Sequence, residues 1–402
     1  MRKYRKLLAV AVGTLLTVGV LAWGTACALP DTFEIDPGTR LDLRTMPWVR
    51  VTPGAQETAA PADAATRDAS YNCTVKLFGV VPIKTVRAVE TPRRMVQVSG
   101  APFGVKLFSD GALVVAFSDQ YTTLGTENPA KEAGLRLGDL IVLAGGEPIR
   151  TNEELTAAIA ASAGKSLPIV YRRDGAEHTT TLTPVQDAST GVWRAGLWVR
   201  DSSAGVGTLT FSDARRKTFA GLGHAISDSD TGANITLLSG EIVPVFINGW
   251  HRGAAGAPGE LRGEFTDAPP LGTVQSNDAA GVYGRLTGSV EGIDCPVALM
   301  QEVHPGEAEL WTTIEGATPR AYKVRIERVH MTAGDPNRNL LVKVTDPALL
   351  RTTGGIVQGM SGSPVLQDGK LVGAVTHVLV NDPTRGYGIF AQTMLDKADA
   401  AA

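Results

Sequence analysis

Hydrophobic positions along this chain fall into three regimes. The first is a continuous run: residues 7–29 carry no charge and follow the basic cluster Arg2, Lys3, Arg5 and Lys6. As a helix such a run is long enough to cross a hydrocarbon core of ~30 Å. It predicts a membrane anchor over 1–29, with the basic flank on the cytoplasmic side and the rest of the chain exported. A cleaved signal peptide is the competing reading, because Ala26-Cys27-Ala28 resembles a small-residue processing site. The second regime, 30–70, has little periodicity; with Ala59-Ala60-Pro61-Ala62-Asp63-Ala64-Ala65 it reads as a flexible linker. From 71 onward short apolar runs broken by Gly and Pro dominate, which is the pattern of strands.

Within that third regime the grammar changes twice. Residues 71–100 form a small strand-rich segment, with runs such as Cys73-Thr74-Val75-Lys76-Leu77-Phe78 and Met95-Val96-Gln97-Val98. Over 101–186 helical patterns enter: strands at 103–107 and 112–116, a short helix at 128–135, then a turn and strand at 137–146. An amphipathic helix at 151–162 follows, with Asn152 as its cap and Glu153-Glu154 in its first turn, and strands at 167–172 and 178–182 close the unit. Residues 187–402 return to short strands and glycine-rich turns.

Composition narrows the classes. A length of 402 residues suggests two to three domains. Lys+Arg 38 against Asp+Glu 41 leaves a net charge of −3, which supplies none of the basic field that nucleic-acid binding needs. Gly at 45 and aromatics at 6% suit a mainly β protein. Three cysteines exclude a disulfide framework. Once exported, Cys73 and Cys295 either pair or stay as separately buried thiols. The six histidines include no His-Glu-x-x-His and none shares ligand spacing with a cysteine, so neither a metal nor another cofactor is expected. His377, on an apolar strand, reads as a core residue.

The order of 101–186, with Ala133-Gly134-Leu135-Arg136-Leu137-Gly138-Asp139-Leu140-Ile141 between short helix and strand, resembles a PDZ domain. Such domains add a peptide strand to a sheet edge beside their longer helix. That analogy places the peptide on the 103–107 edge, at Phe103, Gly104, Val105 and Lys106, beside the helix at 151–162.

Chemistry concentrates further on. Gly205-Val206-Gly207-Thr208, strand, turn and strand lead to His224, the way trypsin-like double barrels deliver a general base. Gly359-Met360-Ser361-Gly362-Ser363-Pro364 then precedes a hairpin, as the nucleophile loop of such peptidases does. A serine hydroxyl needs a neighbouring imidazole to take its proton, and the tetrahedral oxyanion needs two converging amides. These roles fall to Ser361 as nucleophile, His224 as base, and the amides of Gly359 and Ser361 as oxyanion hole; Ser363 packs locally. The carboxylate that orients the imidazole lies between them in chain order. Asp228, Asp230, Asp267, Asp278, Asp294, Asp335 and Asp346 qualify, with Asp346 ranked first because it ends the strand at 340–344.

The stretch Gly221-Leu222-Gly223-His224-Ala225-Ile226-Ser227-Asp228-Ser229-Asp230-Thr231-Gly232 and the run Gly354-Gly355-Ile356-Val357-Gln358-Gly359-Met360-Ser361-Gly362-Ser363-Pro364 strongly resemble the sporulation stage IV B serine peptidases. The likeness extends to Ala374-Val375-Thr376-His377-Val378 and to Gly196-Leu197-Trp198-Val199-Arg200-Asp201. It implies an anchored serine endopeptidase in the forespore membrane, facing the intermembrane space. Such enzymes cleave themselves near the N-terminus and cut a regulatory membrane protein of an intramembrane metalloprotease complex, which leads to sigma-factor activation. It also implies His224, Ser361 and Asp346 as the triad, with Thr376 supporting the carboxylate. The PDZ unit then holds a peptide, in cis or from a partner. The expected architecture is a trypsin-like double β-barrel preceded by an α+β PDZ domain and an N-terminal membrane anchor. A non-catalytic membrane-tethered PDZ adaptor is the alternative.

Overall fold

The apolar alternation after residue 300 closes into a barrel. In this computed structural model, which describes residues 2–43, 45–53, 70–228, 230–232, 237–332 and 334–402, the strands Gly306–Thr312, Arg320–Val329, Leu340–Val344, Asp382–Phe390, Lys370–Leu379 and Pro364–Gln367 follow one another around a ring. Every second side chain points inward, so Leu310, Val324, Ile326 and Val342 are fully buried.

Another ring precedes it in the chain and is the first barrel, the 306–390 ring being the second. It is built from Leu237–His251, Gly272–Asp278, Gly281–Leu286, Thr218–Gly221 and parts of two long strands, Pro102–Phe117 and Leu197–Asp213, whose mutual pairing closes it. Phe103, Val105, Leu107, Leu209, Phe219, Ile242 and Val282 fill its interior. The expected mainly β double barrel is therefore present.

Both long strands then run out of this barrel into the PDZ unit. Ala112 and Val114 belong to a different core, with Ile141, Leu155, Ile169 and Leu182, and they continue the sheet through Leu140–Ala144, Leu167–Arg173 and Ala176–Leu182. The helix Asn152–Ala161 covers it. Its cap is Thr151, in a capping box with Glu154, rather than Asn152. Asn152 lies one position inside, and its amide donates to Asp201 Oδ2 at 2.9 Å.

The expected peptide edge is corrected here. Phe103, Gly104, Val105 and Lys106 pair on one side with Gly207, Val206, Gly205 and Ala204, and on the other with Pro244, Val243, Ile242 and Glu241. With both backbone faces bonded and Phe103 and Val105 in the barrel core, no peptide strand can add there. The edge beside the longer helix is instead the start of Leu197–Asp213, so the 101–186 boundary fails at both ends.

The expected linker at 30–70 is also partly structured. Thr32–Ile35 and Val49–Pro53 join Ser70–Leu77 and Val81–Glu90 in a four-stranded sheet. Phe33, Ile35, Leu41 and Val49 bury against Cys73 and Val75. The Pro/Ala-rich tether at 59–65, and with it any self-cleavage there, lies outside the described residues. Met95–Val98, read as part of the 71–100 segment, pairs with Leu197–Asp213 and Ile293–Pro296 and so belongs to the barrel body. Cys73 and Cys295 are free, buried thiols in separate cores. The first helix, Arg2–Cys27, turns Leu15, Leu16, Val20 and Trp23 outward; among the described residues no helix is long and apolar enough to cross a membrane.

Candidate active site

His224 and Ser361 come from different barrels and line one cleft of about 540 Å³. His224 follows the strand Thr218–Gly221 through two left-handed residues, Leu222 and Gly223 (φ 65° and 70°). The Leu222 side chain packs into the first barrel. A Cβ at Gly223 would stand 2.9 Å from Thr376 Cγ2, so only glycine lets the histidine loop lie against the second barrel.

The nucleophile loop is held by the first barrel. Thr208 donates its amide to the Ser361 carbonyl at 2.9 Å and its hydroxyl to the Gly359 carbonyl at 2.9 Å. The Thr210 hydroxyl donates to the Gly362 carbonyl at 2.7 Å. Ser363 is buried and bonds Thr312 Oγ1 at 2.9 Å, the local packing expected of it. Gly359 and Gly362 are both left-handed, at φ 93° and 91°. Among the described residues the Gly359 and Ser361 amides donate to no group, while Met360 donates to Val357. Those two amides are thus available to an oxyanion.

The Ser361 hydroxyl donates to the carbonyl of Thr376 at 2.7 Å and makes no hydrogen bond to His224. On the imidazole side, Nδ1 lies 2.8 Å from the Ala225 carbonyl. That contact selects the tautomer with the proton on Nδ1 and leaves Nε2 as acceptor, which is what a general base requires. Burial pulls the His224 pKa below its ordinary value, opposed in part by the Ala225 carbonyl.

Among the described residues no carboxylate orients this ring. Asp346 accepts from the amides of Ala348 and Leu349 as the cap of helix Pro347–Thr352, and from the amide of Lys323. Its oxygens are committed to backbone amides, which also hold its pKa down against partial burial. Asp228 is buried, paired with Arg200 and bonded to Thr231; Asp230 pairs with the same Arg200 at 2.8 Å. Asp278 pairs with Lys397 at 2.9 Å. Thr376 likewise supports no carboxylate: its hydroxyl donates to the Asn337 carbonyl at 2.8 Å.

What packs on His224 is His377, its ring centroid 4.8 Å away and tilted by 35°. Its side chain opens to the cleft instead of the core, against the sequence reading. Desolvation in the cleft wall, the neighbouring His224 and Arg338 push its pKa down to about 4, with Asp335 opposing. Both rings are therefore neutral near pH 7. The run Ala374-Val375-Thr376-His377-Val378 was the available signal, but its apolar neighbours pointed to the core.

Residues 191–395, half of the chain, match the model of the SpoIVB peptidase S55 family. The chain belongs to that family. The expectation of a serine peptidase is met at the level of the family, and a PDZ domain model matches 121–173 of this S55 member. Among curated proteins, it is 37% identical over 71 residues to a putative zinc metalloprotease of Treponema pallidum (18% of this chain, 16% of that protein). A putative zinc metalloprotease of Neisseria meningitidis is 30% identical over 124 residues (29% and 28%). The chain thus spans under a third of either relative. Among solved structures, the active form of the Rv3671c protease from M. tuberculosis is 15% identical, covering 50% of this chain and 74% of that one at TM-score 0.28. The PDZ domain of an SdrC-like protein from Listeria monocytogenes is 22% identical, covering 23% and 90% at TM-score 0.20.

Proposed function

We propose that this chain is a serine endopeptidase in which His224 removes the proton of Ser361 and the amides of Gly359 and Ser361 receive the oxyanion. The observation that carries this reading is one cleft between two barrels, lined by both groups, with the two loop amides free. To act, the Ser361 hydroxyl leaves the Thr376 carbonyl and turns to Nε2 of His224. The Ala225 carbonyl and the ring of His377 then do the orienting usually given to a carboxylate.

The biological setting rests on the sequence resemblance. The uncharged run at 7–29 supports an exported, membrane-anchored enzyme, and the family likeness supports the forespore membrane as its location. The family likeness supports a regulatory membrane protein as substrate, in a sporulation pathway leading to sigma-factor activation, with self-cleavage as a second activity. The PDZ unit supports capture of a peptide from that substrate or from the chain itself. A non-catalytic adaptor is favoured by one feature only, the parked Ser361 hydroxyl.

The test incubates the wild-type chain and Ser361→Ala with an unfolded polypeptide and maps new N-termini by mass spectrometry. New termini from the wild type alone, with fluorophosphonate labelling at Ser361, are expected. Equal cleavage by both, or labelling of a different serine, would sink the assignment.

A further inference from the structure

The strand Leu197–Asp213 bonds Pro102–Phe117 along one side from Leu197 to Thr208. On its other side it meets Thr218–Gly221, and only from Leu209 onward. From Leu197 to Gly207, no strand pairs with that outward side among the described residues. The segment is an open edge, of the kind that recruits an extended chain.

This edge joins two sites. At its start it lies beside the PDZ helix Asn152–Ala161, tied there by the Asn152–Asp201 bond, and Trp198 is 63% exposed on it. At its end, Ser203, Ala204, Gly205 and Val206 line the cleft of His224 and Ser361. Thr208 fixes the direction of the open bonds. It stands opposite Pro102, which has no amide hydrogen, and its own N–H points outward to the Ser361 carbonyl. Alternate residues of a strand face the same way, so the backbone groups of Val206 and Ala204 point into the cleft next to the nucleophile.

We infer that 197–207 is a single substrate track, on which an extended polypeptide tail pairs antiparallel from the PDZ groove to Ser361. This inference rests on the serine-peptidase reading. The PDZ mode of strand addition sets the polarity, with the tail's free carboxylate held near Gly196 and Leu197 and its upstream residues running toward Val206. The occupant is the C-terminal tail of a substrate protein, because only a chain end puts a carboxylate at the start of the track while the preceding residues reach the cleft. At about 3.3 Å per residue, the path from Leu197 to Val206 covers roughly 30 Å. The scissile bond then sits about eight to ten residues before the carboxylate, and the PDZ unit serves as a ruler for cleavage.

The test uses the full chain and synthetic peptides with a randomised core, followed by spacers of increasing length, ending in a carboxylate or in an amide. Expected is cleavage at a constant distance from the carboxylate, at least about tenfold weaker for the amides, with this advantage lost in Trp198→Ser while short peptides are cut as by the wild type. Cleavage independent of distance and terminus overturns the track and leaves the peptidase reading standing. If no peptide is cut, binding to the Ser361→Ala chain decides: a carboxylate-dependent change in Trp198 fluorescence supports the track, and its absence overturns it. Photo-crosslinking from position 198 identifies the occupant. Capture of the added tail peptide supports the proposal; capture of this chain's own 54–69 segment or of a second copy overturns it.

Discussion

The hydroxyl of Ser361 donates to the carbonyl of Thr376, and the ring of His224 rests on that of the adjacent residue, His377. Neighbouring residues of one strand thus hold both members of the proposed catalytic pair. Replacing Ser361 by Ala removes the nucleophile and a hydrogen bond worth about 1 kcal/mol. Cleavage should fall by about 10⁴-fold or more, while urea unfolding shifts only slightly.

The pH profile follows from the burial of His224. Its pKa is lowered from 6.5, so the ring is neutral and able to accept a proton at pH 7. kcat/KM should fall as pH drops, with the acidic limb below pH 6.5. Removing the covering ring by His377→Ala admits water to His224 and should move that limb upward. kcat should drop by about 10- to 100-fold through lost orientation. An unmoved limb would exclude His377 as a positioning residue.

Gly362 is where the barrels touch. It is left-handed, and a Cβ there would stand 2.1 Å from the Thr208 carbonyl oxygen and 2.5 Å from the Leu222 amide nitrogen. Gly362→Ala should therefore cost at least about 2 kcal/mol in denaturant unfolding and abolish cleavage, since neither backbone can yield without displacing the histidine loop.

Asp346 makes a structural prediction. As an N-cap, its replacement by Ala should cost about 1 kcal/mol, and replacement by Asn only a few tenths, because an amide oxygen caps almost as well. The two unfolding midpoints distinguish capping from a need for charge.

Residues acting through local chemistry were legible in the chain. The hexapeptide 359–364 carries its own turn glycines and nucleophile, and the strands of the second barrel announce themselves by alternation. Partners across the chain were not. Asp346 at a strand end looks the same whether it caps a helix or faces an imidazole, and the choice depends on where the chain turns next. His377 was read as a core residue from the apolar strand around it, but a register shift between Val375 and Val378 changes the face it presents.

The amino-acid order alone determined the strand content, the reactive serine loop, the histidine delivered by a glycine turn, and the PDZ-like stretch, because each is set by neighbours a few residues apart. The tertiary structure decided that Phe103–Lys106 is walled in, that the open edge is Leu197–Gly207, and that a second imidazole covers the first. A strand carries the same backbone donors and acceptors whatever its sequence, so which side stays unpaired emerges only when the barrels close.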